Sequence, residues 1–260
     1  MKPIAIIRPV SRRIVECELT HLAREPIDYA RAVAQHAGYE AALIRRGCEI
    51  VRVPAAHEMP DAVFVEDVAV VLDEVAVMTR PGAASRRDEG REVEAALKRY
   101  RNIVRISEPG TLDGGDVLHV GKTLFVGRSE RSNAEGIAQL RALVSDFGYD
   151  VKAASLHDCL HLKSAVTTVG EHVLLGNSAW VDRRELGDVD WIEVDAREPF
   201  AGNALWVNGG IIYPSAFVRT ADLLRKRDIT LDLVDASELA KAEGGVTCCS
   251  LILAGNPAMS

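Results

Sequence analysis

The chain lacks most of the features that would narrow its function at a glance. No apolar run in it is long enough to cross a bilayer. Its opening residues, "MKPIAIIRPV", turn polar by Arg8 and show neither an export-signal core nor a small-residue cleavage site, so a cytoplasmic location is the expectation. Cysteine is scarce and unpaired in number: the five (Cys17, Cys48, Cys159, Cys248, Cys249) are irregularly spaced, which argues for reduced thiols over a disulfide framework. A basic patch is missing too. Lysine and arginine are scattered and the net charge is −7, which argues against nucleic acid as a partner and is compatible with a cationic substrate.

Several familiar motifs are absent as well. There is no Gly-x-Ser-x-Gly elbow and no dinucleotide fingerprint. "HVGKTLF" imitates a phosphate-binding loop, but Gly115 to Gly121 encloses five residues and the stretch joins strand to strand. The phosphate motif needs four residues there and leads into a helix. "HDCLH" sets His157 and His161 four apart, as in a zinc-binding helical pair, yet its flanks read as extended, so no metal is expected.

What the chain does have is an internal repeat. Short Val/Ile-rich runs follow helix-like stretches at 49–54, 102–107, 149–155, 190–195 and 229–235. Between them lie hairpin-like pairs: "VFVEDVAVVLDEVAVMTRP", "DVLHVGKTLFVG", "AVTTVGEHVLLG" and "ALWVNGGIIYP". Their expected turns are Asp73–Glu74, Gly121–Lys122, Gly170–Glu171 and Asn208–Gly209, the last three carrying the Gly or Asn that tight turns favour. Helix-like sequence follows at 90–100, 133–148 and 219–228, with a weaker stretch at 181–188.

Four strand–strand–helix–strand units can be counted, and a fifth is split between the chain ends. "TCCSLIL" would supply its first strand, "IAIIRPVSRR" its second, 28–46 its helix and 49–54 its third. Joining the ends closes a ring of five units with few exposed sheet edges. An open α/β sheet of loosely similar units is the alternative.

A ring would gather five equivalent loops at one end of its axis: "PDAVFVED", "GTLDGGD", "CLHLKS", "FAGNALW" and "GGVTCCS". Acids, a histidine, an asparagine and a cysteine would then face one small volume. If Cys248 and Cys249 lie on a strand, only one thiol can face the axis. Both could be small core residues, but a histidine-bearing loop opposite makes one a candidate nucleophile. His161 is then a candidate acid/base. Asp61, Glu66, Asp67, Asp113 and Asp116 cluster in two of these loops. "FVED" sets two carboxylates in what reads as an apolar strand, where burial is costly without a cation or several donors. Arg86 and Arg131, in equivalent corners, could clamp a carboxylate.

These residues resemble a known family. "PDAVFVEDVAVV", "TRPGAASRR", "TLDGGDVL", "RSNAEG", "HLKSA" and "GGVTCCSL", in that order from near Arg8 to the last strand, are similar to the dimethylarginine dimethylaminohydrolase family of the guanidino-group-modifying pentein superfamily. The resemblance implies a five-bladed α/β propeller of ββαβ units and one catalytic domain over 1–260. It implies hydrolysis of Nω-methylated L-arginines to L-citrulline and dimethylamine or methylamine. Cys248 would be the nucleophile, His161 the general acid/base, and Asp113 would orient His161 or hold the guanidinium. Asp67, with Glu66 beside it, would grip the guanidinium. Arg86 and Arg131 would bind the substrate α-carboxylate, and Asp61 with the Leu19 backbone its amino group. The partner is a small molecule, no membrane or cofactor is involved, and a homodimer is compatible. An arginine deiminase of the same superfamily is the nearest alternative, although that family typically carries arginine where this chain has Glu66. A non-catalytic binding pentein is the other.

Overall fold

The computed structural model describes residues 2–254. Among them, fifteen strands form five three-stranded sheets. The first blade joins β15 (Leu251–Leu253), β1 (Ile4–Ile7) and β2 (Glu49–Arg52). The second holds β3 (Ala69–Val71), β4 (Val75–Met78) and β5 (Asn102–Arg105). The third holds β6 (Val117–Val120), β7 (Thr123–Gly127) and β8 (Asp150–Ala154). The fourth holds β9 (Val166–Gly170), β10 (Val173–Gly176) and β11 (Asp190–Glu193). The fifth holds β12 (Leu205–Val207), β13 (Gly210–Pro214) and β14 (Leu231–Val234). In every blade the middle strand runs antiparallel to the first and parallel to the third. Ile4 pairs with both Leu253 and Glu49, so the chain ends close the ring as the repeat requires.

The middle strands explain why the repeat reads as apolar runs. In β7, Leu124 and Val126 pack toward the second blade while Phe125 packs toward the fourth. β1 divides likewise: Ala5 and Ile7 face the fifth blade, Ile4 and Ile6 the second. Each middle strand is buried on both faces, so apolar residues occupy both phases of the pleat. Five clusters result, one between each pair of neighbouring blades. Burying one Val, Leu or Ile side chain contributes about 1.5–3 kcal/mol, and this inter-blade packing fixes the ring.

Among the described residues there are also six helices: α1 (Tyr29–Arg45), α2 (Arg91–Leu97), α3 (Ala134–Val144), α4 (Leu162–Ala165), α5 (Val218–Arg225) and α6 (Ser237–Ala240). Asp28 caps α1 through the Arg31 amide and Asn133 caps α3 through the Gly136 amide. The stretch at 181–188 forms only a 3₁₀ turn, Arg183–Leu186. The Asn208–Gly209 turn has both residues at positive φ (48° and 71°), as a tight hairpin needs. The fourth-blade turn falls one residue later than expected, with His172 at φ 56° and a register shift at Val173/Leu174.

Two local expectations are corrected. Cys248 and Cys249 do not lie on the last strand, which begins at Leu251; they occupy a turn ahead of it, where the Cys248 amide donates to Gly245 O at 3.2 Å. "FVED" is likewise no strand: Val65–Val68 form a 3₁₀ turn preceding β3. Both segments are rich in strand-forming residues, but burial by other blades decides their shape.

Candidate active site

The loops before the first strand of each blade meet at one end of the ring axis. The second blade contributes the Val65–Val68 turn, the third the Gly114–Asp116 turn and the fourth the start of α4. The last turn before β15 brings Cys248. Asp61, Asp67, Arg86, Arg131, His161 and Cys248 all line one cavity there. Three other expected residues stand outside its wall. Asp113 lies behind His161, Glu66 faces the axial channel formed by the first strands, and Leu19 packs on the core beside Glu18, which does line the cavity.

His161 is buried, with Nε2 3.1 Å from Asp113 Oδ2 and Nδ1 3.8 Å from Asp67 Oδ1. Gly115 makes this approach feasible, because a Cβ there would lie 2.6 Å from His161 Nδ1 and 2.7 Å from Asp67 Oδ1. Burial by itself lowers the imidazole pKa, but the carboxylates of Asp67, Asp116 and Asp113 outweigh it and raise the pKa to about 9. The ring is therefore held protonated at neutral pH. Asp116 fixes the neighbouring backbone by accepting from Leu162 N at 3.1 Å and from the hydroxyls of Ser129 and Ser132.

Asp67 is gripped from two sides. Its Oδ2 takes Arg86 Nη1 at 2.7 Å and its Oδ1 takes the Gly115 amide at 3.0 Å. Burial pushes its pKa up, yet His161 and Arg86 together bring it below the ordinary value. Arg86 is largely occupied. It also meets Glu89 through Nε and Nη2, at 3.1 and 2.9 Å, and its Nη2 donates to the carbonyls of Asp61 and Phe64, both at 3.4 Å. Arg131 is freer: its Nη2 donates to Thr20 Oγ1 at 2.9 Å. Buried Asp61 accepts the Glu18 amide at 3.1 Å, and its pKa is raised by burial.

The Cys248 thiol is half-buried and accepts the Gly245 amide at 3.3 Å. Burial, then the charges of Glu66 and Asp67, raise its pKa well above the usual thiol range. Cys249 is buried in the core.

Asp67, Asp113 and His161 present ligand atoms within 4.8 Å of one another and could hold a metal ion. The His161–Asp113 ion pair and the Arg86 and Gly115 bonds to Asp67 already account for that proximity.

Sequence reasoning missed Glu89, Lys163, Thr247 and Glu243, and noted Asn203 without giving it a role. Glu89 was within reach, lying three residues after Arg86. The others act across blades: Lys163 Nζ meets Glu66 Oε1 at 2.6 Å, and Thr247 Oγ1 donates to Glu66 Oε2 at 2.7 Å.

The chain is similar to known proteins over nearly its whole length. A family model described as "N,N dimethylarginine dimethylhydrolase, eukaryotic" matches residues 20–184. The N(G),N(G)-dimethylarginine dimethylaminohydrolase of Streptomyces coelicolor is 41% identical over 250 residues, 96% of either chain. That of Pseudomonas aeruginosa is 35% identical over 249 residues, covering 95% of this chain and 97% of its own. The solved structure of the Pseudomonas aeruginosa enzyme, as a cysteine-to-serine mutant complexed with citrulline, superposes with a TM-score of 0.92 at 34% identity, covering 97% of this chain and 100% of that one.

Proposed function

Because the chain belongs to the dimethylarginine dimethylaminohydrolase family, we propose that its cavity hydrolyses Nω-methylated L-arginines to L-citrulline and dimethylamine or methylamine. The observation that carries the reading is the convergence of a thiol, a protonated imidazole and a buried carboxylate, Cys248, His161 and Asp67, on one cavity.

A guanidinium is a resonance-stabilised cation and a poor electrophile. Asp67 holds it charged and oriented at the nucleophile. Its positive charge offsets Glu66 and Asp67, so the Cys248 proton passes to solvent on binding, and the thiolate attacks the guanidinium carbon. With Nε2 engaged by Asp113, the Nδ1 proton of His161 faces the Asp67 side and passes to the departing amine. The carbon–nitrogen bond breaks and leaves a cysteine S-alkylthiouronium. Neutral His161 then takes a proton from water, the hydroxide adds to the same carbon, and the carbon–sulfur bond breaks as the added hydroxyl gives up its proton to the departing sulfur, which releases citrulline and restores the thiol. At the other end of the substrate, Arg131 meets the α-carboxylate, with Arg86 adding positive charge from behind Asp67. Asp61 and the backbone near Leu19 meet the amino group.

Residues 1–260 act in this reading as one catalytic domain, since nucleophile and acid/base come from different blades and meet only in the closed ring. No helix among the described residues is long and apolar enough to cross a membrane; a cytoplasmic location and a homodimer belong to the same proposal, the latter tested by light scattering. The deciding assay offers asymmetric dimethylarginine, monomethylarginine, L-arginine and agmatine separately, with Cys248→Ser alongside. Citrulline and dimethylamine, lost in the variant, are expected. Ammonia from arginine alone would make it a deiminase.

A further inference from the structure

One carboxylate at the cavity has no task in the hydrolysis. Glu243 lines the cavity with Glu18 and Arg131, on the wall that leads through Gly244 to Cys248. Its Oε1 accepts the amides of His21 and Leu22 at 2.6 Å each, and its Oε2 accepts the amide of Thr20 at 3.0 Å. Three consecutive N–H groups of one segment thus converge on a single anion from the other end of the chain, an arrangement that favours negative charge. Among the described residues Glu243 makes no ion pair, so these amides are what compensate it. Glu243 also sits at φ 59°, a left-handed conformation uncommon for a residue with a side chain.

The segment it holds is the one placed over the amino-acid end of the substrate. Asp61 Oδ2 accepts the Glu18 amide at 3.1 Å, and Arg131 Nη2 donates to Thr20 Oγ1 at 2.9 Å. Those two ties use the groups that would also bind the substrate's amino and carboxylate ends. A ligand arriving there competes for them, whereas the Glu243 tie is untouched. The three amide dipoles partly offset its negative charge.

We propose that Glu243 is a positioning residue: it latches residues 18–22 across the cavity and thereby holds the Leu19 backbone and Thr20 where the amino-acid end of the substrate is recognised. This rests on the cavity being a methylarginine site.

The test uses full-length Glu243→Ala and Glu243→Gln. The glutamine keeps an acceptor oxygen and guards against a simple folding failure. Three readouts are taken: steady-state kinetics with asymmetric dimethylarginine, amide hydrogen exchange at residues 20–22, and inactivation of Cys248 by 2-chloroacetamidine. The last is a small amidinium electrophile with no amino-acid end. The alanine variant is expected to raise KM about tenfold with kcat falling less than about threefold, the glutamine variant less, as loss of binding that is uniform through the reaction predicts. Exchange at 20–22 accelerates in both, and inactivation proceeds at the wild-type rate or faster. Unchanged KM with unchanged protection at 20–22 overturns the proposal. So does a joint fall in kcat and inactivation rate at constant KM, which would place Glu243 in support of Cys248 instead. A wild-type enzyme that makes no citrulline would sink the functional reading, while the exchange data would still decide the latch.

Discussion

Glu66 and Asp67 are neighbours in the chain but face different compartments. Asp67 borders the cavity lined by His161 and Cys248 and bonds Arg86, whereas Glu66 borders the axial channel and bonds Lys163 and Thr247. The cause is local. A 3₁₀ turn has three residues per turn, so successive side chains point about 120° apart. The residue expected to grip substrate beside Asp67 is thus seated on the far side of the cavity floor, with its charge still felt by the Cys248 thiol.

Removing that charge without changing shape should ease thiol ionisation. In Glu66→Gln, alkylation of Cys248 by neutral iodoacetamide should reach half its maximal rate at a lower pH than in the wild type. After burial, Glu66 is the largest cause raising that thiol. A midpoint that stays put or rises would mean the pair with Lys163 matters for shape and not for charge.

The His161 imidazole has its pKa raised from 6.5 to about 9. A raised pKa means the folded state favours the proton. The stability this contributes is fully present below 6.5 and is lost as pH rises through about 9. Activity should follow the same proton, with kcat/KM falling on the alkaline side near that value. Asp113→Asn removes one of the raising carboxylates and should move this limb to lower pH, while cutting turnover on the order of 100-fold. A pH–rate profile of both enzymes checks it, and an unmoved limb would assign the ionisation to another group.

Arg86 and Arg131 look equivalent in the repeat but should respond differently to Met. Arg86 is enclosed by Asp67 and Glu89, so its loss strands buried carboxylates and should cost about 3–5 kcal/mol in denaturant unfolding. Among the described residues, the one hydrogen-bond partner of the Arg131 guanidinium is Thr20 Oγ1. Its replacement should leave stability within about 1 kcal/mol and raise KM for methylarginine by at least about tenfold through loss of a charge-assisted bond. Equal behaviour in both assays would refute the distinction.

The ring was legible in the sequence because its middle strands are buried on both faces, which writes each blade as two adjacent apolar runs, followed in all but the fourth by a helix. The loops carrying Asp67, Asp113, His161 and Cys248 could be aligned for the same reason, since each immediately precedes a first strand. Local conformation inside those loops was not legible. "TCCSLIL" reads as strand by side-chain preference, yet the bond from Cys248 N to Gly245 O turns the chain before Leu251. The partners of Glu66 and Glu243 were hidden because they lie 97 to 223 residues away and leave no local pattern.

Asn203 lines no wall of the Cys248 cavity, yet it holds the turn that carries Cys248. Its Nδ2 donates to Lys163 O and Thr247 Oγ1, both at 2.9 Å, and its Oδ1 accepts the Thr247 amide at 3.2 Å. Gly245 passes so close that a Cβ there would lie 2.4 Å from Oδ1. Asn203→Ala leaves the Thr247 amide and the Lys163 carbonyl without partners and should destabilise the fold by about 2–3 kcal/mol. Asn203→Asp discriminates further. It retains the acceptor for Thr247 N but loses the donors, and it sets a second carboxylate across Thr247 from Glu66. The Cys248 thiol should then ionise at still higher pH than in the wild type, and turnover should fall further than in the alanine variant. Unfolding curves and the pH dependence of alkylation measure the two effects separately, and an aspartate variant that alkylates like the wild type would show that the turn is held by its own backbone.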